Sequence, residues 1–291
     1  MDENTFDSSS LKAFLNCPRK YFWNYVEHFQ PIGYDKPALD FGTAIHEALR
    51  VWYEEKDLDT ALEVFHDLWD ERWEDKKRTH EKGEKLLRGY VEEYPREPFE
   101  WISPPEQVFK IELFGVNFVG RFDGVVRFQN MPLIIDHKTA TRMGATYFKG
   151  FRPDMQMSAY TWAARQLYDE KIMGALINVL YFTTRQMDFE REIINREDWE
   201  LEEFLDVASS VISQIKALDR DNYKEWIPNW GFCKRWGVCK YRELCLSKDP
   251  YRTARGGYER EEWNPLEEFD IEKKLEKQQQ KDNEDTIRLI D

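Results

Sequence analysis

The sequence predicts an α/β fold in which a central mixed β-sheet is flanked by helices. Three observations point to it: helical periodicity up to about Tyr94, a change to period-two alternation near Gln107, and a helix–strand–helix succession from Met155 onward. The chain has 291 residues, 41% hydrophobic and 15% aromatic, which gives one large domain a substantial core. The expected division is a single domain over residues 1–245 with a helical insert at 47–100, then an acidic tail at 246–291.

Residues 8–29, SSSLKAFLNCPRKYFWNYVEHF, place Leu11, Phe14, Leu15, Tyr21, Phe22 and Tyr25 at mostly helical spacing behind a serine cap, with a break at Pro18. From Phe41, FGTAIHEALRVWYEE aligns Ile45, Ala48, Leu49 and Trp52 on one stripe of a helix. Charged helical sequence follows until the prolines at 95, 98, 104 and 105. QVFKIELFG, VNFVGRFDGVVRF and LIIDHKT then read as successive strands of a meander, turning at Gly115–Asn117 and Gln129–Pro132. MQMSAYTWAARQLYDE is helical, GALINVLYFTT is a strand, and 197–218 form a helix entered through Asp198. The last residues, including KKLEKQQQKDNEDT, are a solvated helix or disordered.

A formal charge of −14 looks unsuited to a polyanionic partner, whose phosphates need Lys and Arg. The excess acid is local, however. Residues 47–100 hold 17 acids against 10 bases, and 259–291 hold 12 against 6, so the remainder is near neutral. Net charge therefore does not exclude nucleic acid. No apolar run reaches the roughly 18 residues of a membrane span. The acidic, polar start MDENTFDSSS is the opposite of a secretion signal, and an intracellular, cytoplasmic protein is expected. In a reducing compartment four cysteines are free or metal-bound rather than paired.

Chemistry concentrates in PLIIDHKTATR, residues 132–142. In an extended strand Asp136 and Lys138 project to one face, Ile135 and His137 to the other. Upstream, GRFDGVV supplies a second acid, Asp123. If the two strands pair, Asp123 and Asp136 converge on one divalent cation, and oxygen ligands suit Mg²⁺ or Mn²⁺. Lys138 would then position a water and steady developing negative charge. Two plainer readings stay open. Asp123-Gly124 is also a hairpin-turn signal, and Asp136 with Lys138 is also an ordinary strand-end ion pair.

In order, these motifs resemble the PD-(D/E)XK nuclease superfamily, and within it the RecB-like branch that includes nuclease domains of recombination helicases and CRISPR-associated exonucleases. The resemblance rests on His46 in FGTAIHEAL, Asp123 in GRFDG, Asp136 and Lys138 in IIDHKT, and Gln156 with Tyr160 in QMSAY, and runs from about Ser8 to Cys245. It implies a restriction-endonuclease-like core and a Mg²⁺- or Mn²⁺-dependent deoxyribonuclease, with an exonuclease acting on single-stranded or free DNA ends in recombination, repair or phage- or CRISPR-type processing. It implies His46, Asp123, Asp136 and the His137 carbonyl as metal ligands, and Gln156 and Tyr160, one helical turn apart, against the DNA backbone. A different class of function also fits: a DNA-binding or assembly subunit whose nuclease core is silent, meeting a protein partner through the acidic insert or tail. The sequence leaves the oligomeric state open.

The four cysteines fall in two places, Cys17 in LNCPRKY and Cys233, Cys239 and Cys245 in NWGFCKRWGVCKYRELC. RecB-like nucleases with an iron–sulfur cluster share this layout, so the resemblance implies a 4Fe–4S clasp joining distant parts of the chain. The C-terminal three are spaced five and five, where the family most often has two residues between the first pair. Zn²⁺ is the alternative, although its usual tight C-x₂₋₄-C knuckle is missing.

Overall fold

The strands that the sequence presents as one meander are divided between two sheets. The computed structural model describes residues 4–33, 37–70, 75–235 and 237–263. Strand β1 (Thr5–Phe6) runs parallel to β5 (Val116–Phe122), and β4 (Gln107–Leu113) pairs antiparallel with β5, making a three-stranded sheet. The five-stranded sheet has the order β3-β6-β7-β8-β9, built from Phe99–Trp101, Gly124–Phe128, Met131–Ala140, Gly174–Phe182 and Met187–Asn195. Within it β7–β8 is parallel and the other pairs are antiparallel, the mixed sheet that the sequence predicts.

VNFVGRFDGVVRF is thus two strands broken at Asp123, which corrects its reading as one. The hairpin alternative also falls, because β5 and β6 do not pair with each other among the described residues. Gly124 serves close approach instead. A Cβ there would lie 2.2 Å from the indole of Trp101. The edge strand β9 was absent from the sequence reading; its half-exposed alternation, MDFEREIIN, is a weaker signal than the fully buried GALINVLYF of β8.

Helices cover both faces. Helices α1 (Ser8–Asn16) and α2 (Pro18–Tyr21) are separated at Cys17, and Pro18 occupies the first turn of the new helix, where it is tolerated. The cap of α1 is Asp7 rather than a serine, its Oδ1 accepting from Ser10 N at 2.7 Å. A π-helical turn (Phe22–Val26) leads to β2 (Phe29–Pro31). Helices α3 (Pro37–Glu55), α4 (Leu58–Leu68) and α5 (His80–Glu93) bury Phe41, Ile45, Leu49, Phe65 and Tyr90 against Leu133, Ile135, Leu176 and Leu180. The opposite face carries α6 (Met155–Leu167) and α7 (Asp198–Ala217), whose Met157, Ala163, Phe204 and Ile212 meet Ile134, Ile177 and Val179. The cap of α7 is Glu197, one residue before the Asp198 expected from sequence. Strand β7 therefore alternates between two buried layers, which explains its unbroken apolar lead-in.

Beyond α7 the chain returns to the N-terminal helices. Trp226 is fully buried and stacks on Tyr21, with ring centres 5.7 Å apart, while Arg19 Nε donates to its carbonyl at 2.7 Å. Helices α8 (Arg242–Leu246) and α9 (Pro250–Gly257) follow, and β10 (Tyr258–Arg260) pairs with β2. The KKLEKQQQKDNEDT segment lies outside the described residues.

Candidate active site

Strand β6 begins with Gly124 opposite Ile135, so Asp123 falls beside Asp136 at the point where the chain crosses between sheets. Its Oδ2 accepts a 2.6 Å hydrogen bond from the main-chain N–H of His137. His46 reaches this point from α3. Its Nε2 lies 2.9 Å from the His137 carbonyl, an acceptor, so Nε2 carries the proton. Nδ1 then faces Asp123 Oδ2 at 3.4 Å and Glu106 Oε1 at 3.6 Å.

Glu106 was not among the residues picked out from sequence. It sits in the turn after Pro104 and Pro105 at φ 55°, outside any periodic segment. An acid placed directly after two prolines and ahead of a strand is the one signal that marks it. Its N–H donates to the Asp123 carbonyl at 3.0 Å, and Arg121 Nε holds its Oε2 at 2.8 Å while bonding Glu47 with NH1 at 2.7 Å. His46, Glu106 and Asp123 offer ligand atoms within 4.8 Å of one another, and no other such group of His, Cys or acid side chains occurs among the described residues. Burial opposes a proton on His46, but Asp123 and Glu106 outweigh it and raise the imidazole well above its usual range. Burial likewise would raise Asp123, yet His46 holds this carboxyl well below the ordinary range. Glu106 is raised, first by burial and then by Asp123. Arg121 and a protonated His46 balance these acids as they stand, and a divalent cation that displaces the His46 proton fits the same donor set of nitrogen and oxygen.

Asp136 stands just outside that trio, with its carboxylate turned to Lys138 on the same strand face. Lys138 Nζ is 2.9 Å from Oδ1 and 2.8 Å from Oδ2, and also 3.3 Å from Gln156 Oε1. Burial lifts Asp136 to about 6 against the opposing pull of Lys138, with Asp123 adding to the rise. Lys138 is held above its normal range, because Asp136 and Asp123 overcome its desolvation. The amide of Gln156 is placed by Asp154, which caps α6 by accepting from Gln156 N at 2.9 Å and is itself paired with Lys12 at 2.9 Å. Tyr160, one turn on, packs edge-on against Phe109 and Phe122, and burial raises its hydroxyl's pKa.

His137 points to the opposite face, as strand alternation requires. Its ring stacks on Tyr53 and its Nδ1 lies 2.6 Å from Asn178 Nδ2, an amide donor, so Nδ1 is the acceptor. Burial lowers its pKa to about 3, which keeps it neutral. Asn178 bonds in turn to Tyr90 and Arg191, and Arg191 pairs with Glu97 at 2.7 Å. A buried polar network thus backs the strand that carries Asp136 and Lys138.

The cysteines lie where the N-terminal helices meet the segment after α7. Buried Cys17 accepts at Sγ from Asn229 N at 3.3 Å, and Asn229 Nδ2 donates to Asn16 O at 3.0 Å. Cys239 N donates to the Cys233 carbonyl at 3.1 Å, and Cys245 lies on α8. Burial, then Cys239 and Cys17, raise the Cys233 thiol; Cys245 is raised mainly by burial. None of the four is joined in a disulfide.

No curated protein matches the chain. Among solved structures, a candidate exonuclease from Eubacterium rectale is similar at 17% identity over 73% of this chain and 80% of its own, with a TM-score of 0.47. The protein SSO0001 is similar at 16% identity over 85% of this chain and 88% of its own, with a TM-score of 0.36. The profile of the PD-(D/E)XK nuclease superfamily matches residues 6–246, which include every residue of the site just described. The chain belongs to the PD-(D/E)XK nuclease superfamily.

Proposed function

We propose that the protein is a Mg²⁺- or Mn²⁺-dependent DNA nuclease of the RecB-like branch, an exonuclease that hydrolyses phosphodiester bonds at single-stranded or free ends. The observation that carries this reading is the convergence of His46, Glu106 and Asp123 beside the Asp136–Lys138 pair. His46, Asp123 and Asp136 would hold the cation and Glu106 would complete the set; the His137 carbonyl, 2.9 Å from His46 Nε2, is a further ligand only for an ion bound at that nitrogen rather than at Nδ1. When bound, the ion polarises the scissile phosphate and acidifies a coordinated water. The ammonium of Lys138, fixed between Asp136 and Gln156, orients the attacking oxygen and stabilises charge building on the phosphate. Gln156 and the hydroxyl of Tyr160 form the wall against which the backbone lies.

The four thiols fit a 4Fe–4S cluster held by Cys17, Cys233, Cys239 and Cys245. Tetrahedral zinc, with Zn–S near 2.3 Å, would draw its sulfurs to about 3.8 Å of each other. The clasp ties α1 to the segment after α7 and takes no part in hydrolysis.

Digestion of end-labelled single- and double-stranded DNA with Mg²⁺ or Mn²⁺ tests the reading, with Lys138→Ala beside the wild type. Loss of cleavage by at least about a thousandfold in the variant is expected. A wild type that binds DNA and never cuts it under either metal overturns the reading and leaves the silent-core subunit in its place.

A further inference from the structure

We infer that the open edge of β4 is a self-complementary dimer interface, which a second copy of this chain occupies by pairing its own β4 antiparallel across a two-fold axis at Ile111. The inference is independent of the nuclease reading. Strand β4 lies on the outside of the three-stranded sheet, and among the described residues it pairs with β5 alone. Phe114 and Gly115, at φ 53° and 73°, make the two-residue turn that joins the two strands, and Leu113↔Val116 closes it. That closing pair exchanges both of its hydrogen bonds. Leu113, Ile111 and Phe109 therefore bond toward β5, and the N–H and C=O of Val108, Lys110 and Glu112 point to the open edge. Edges of this kind are usually blunted by shortness, a proline or a bulge. Strand β4 runs seven residues in unbroken register with neither proline nor bulge.

The side chains fit the same partner. By alternation Val108, Lys110 and Glu112 share one face of the strand, and all three are exposed. In the register centred on Ile111, Lys110 stands opposite Glu112 of the second copy, and Glu112 opposite its Lys110. Each of these pairs exchanges two main-chain hydrogen bonds. Val108, 43% exposed, then meets Phe114 of the second copy, 50% exposed. Moving the axis to Lys110 or to Glu112 sets like charge against like, which a sheet disfavours. Phe114 is a bulky residue at positive φ, a conformation that costs backbone energy, yet half of its surface lies in solvent. Against the second copy that ring gains an apolar neighbour. The longer edge strand β9 offers no such match: Asp188, Glu190 and Glu192 occupy alternate positions, so a second copy there would set acid against acid.

Glu106 directly precedes β4, so the two candidate metal sites would stand roughly 30 Å apart at opposite ends of the joined strands, too far to share one phosphate. One strand edge buries less than the roughly 1,200 Å² at which stable interfaces begin, so the dimer forms reversibly at micromolar concentration.

Sedimentation equilibrium of the full-length protein from about 5 to 200 µM tests the pairing. The wild-type mass should climb from 35.1 kDa toward twice that value. Lys110→Glu leaves acids at both charged positions and Glu112→Lys leaves bases at both, so each variant alone should dimerise at least about tenfold more weakly. An equimolar mixture of the two variants should recover wild-type affinity, because every charged pair across the axis is again opposite in sign. That recovery also shows both variants to be folded. A wild type that stays monomeric throughout overturns the interface, as does a dimer that neither substitution weakens. A mixture that associates no more tightly than its components overturns the pairing about Ile111.

Discussion

Asp123 Oδ2 accepts a 2.6 Å hydrogen bond from the main-chain N–H of His137, the residue between Asp136 and Lys138. One carboxylate therefore belongs both to the candidate metal group and to the support of the strand that carries Asp136 and Lys138. The two duties separate by mutation. Asp123→Asn keeps an acceptor for His137 but removes the charge, so cleavage should be lost with little change in melting temperature. Asp123→Ala also strands a buried N–H and should cost about 1–3 kcal/mol more in urea unfolding.

Glu106→Gln preserves shape and a partner for Arg121 while discarding a charge from the ligand trio. The Mn²⁺ dissociation constant measured by calorimetry should rise about 10- to 100-fold, and the Mn²⁺ needed for half-maximal cleavage should rise with it. An unchanged affinity would remove Glu106 from the site.

Protons compete with the ion. Asp136, raised to about 6 from 3.8, is protonated in the metal-free folded protein between those values. The folded state then binds more protons than the unfolded one, so this group's contribution to metal-free stability falls as pH rises through that window. His46, raised by its acid neighbours, must also shed a proton to bind metal. The increase in melting temperature on adding Mn²⁺ should accordingly be small near pH 5 and grow toward pH 7.5. A shift independent of pH would contradict both assignments.

The network behind β7 depends on one hydroxyl. Tyr90 Oη lies 2.6 Å from Tyr53 Oη, 2.9 Å from Glu97, 3.0 Å from Asn178 and 2.8 Å from Arg191. Tyr90→Phe deletes no packing volume, yet it should lower stability by about 2–3 kcal/mol, read from the urea midpoint.

The iron–sulfur reading has its own measurement. Protein purified without oxygen should be brown and carry iron and acid-labile sulfide in equal, near-fourfold amounts per chain. Cys17→Ala should lose the colour and melt at a lower temperature. A colourless protein holding zinc would assign the cysteines to that metal instead.

Much of this was legible in the chain itself. Period-two alternation assigns Asp136 and Lys138 to one side of β7 and His137 to the other, because side-chain direction in a strand follows from position alone. The same rule could not say which sheet a strand joins, so the break at Asp123 was invisible, and Gly124 resembled a turn residue when its role is to admit the Trp101 ring. Glu106 escaped because function there depends on a tertiary approach of a non-repetitive turn. Asn178, Tyr90 and Arg191 escaped for a related reason: they come from β8, α5 and β9, and their partnership exists only after the sheet has formed.

The passage of the chain from one sheet to the other at Asp123 has a mechanical consequence. The two sheets are continuous through that residue, and the donors on either side of it come from α3, the turn before β4, and β7. An ion bound there acts as a rivet through a seam. It closes long loops at one stroke and penalises any sliding of the small sheet against the large one. Withdrawing the metal would then silence the chemistry and also loosen the joint, so that rigidity at the seam becomes a reporter of occupancy.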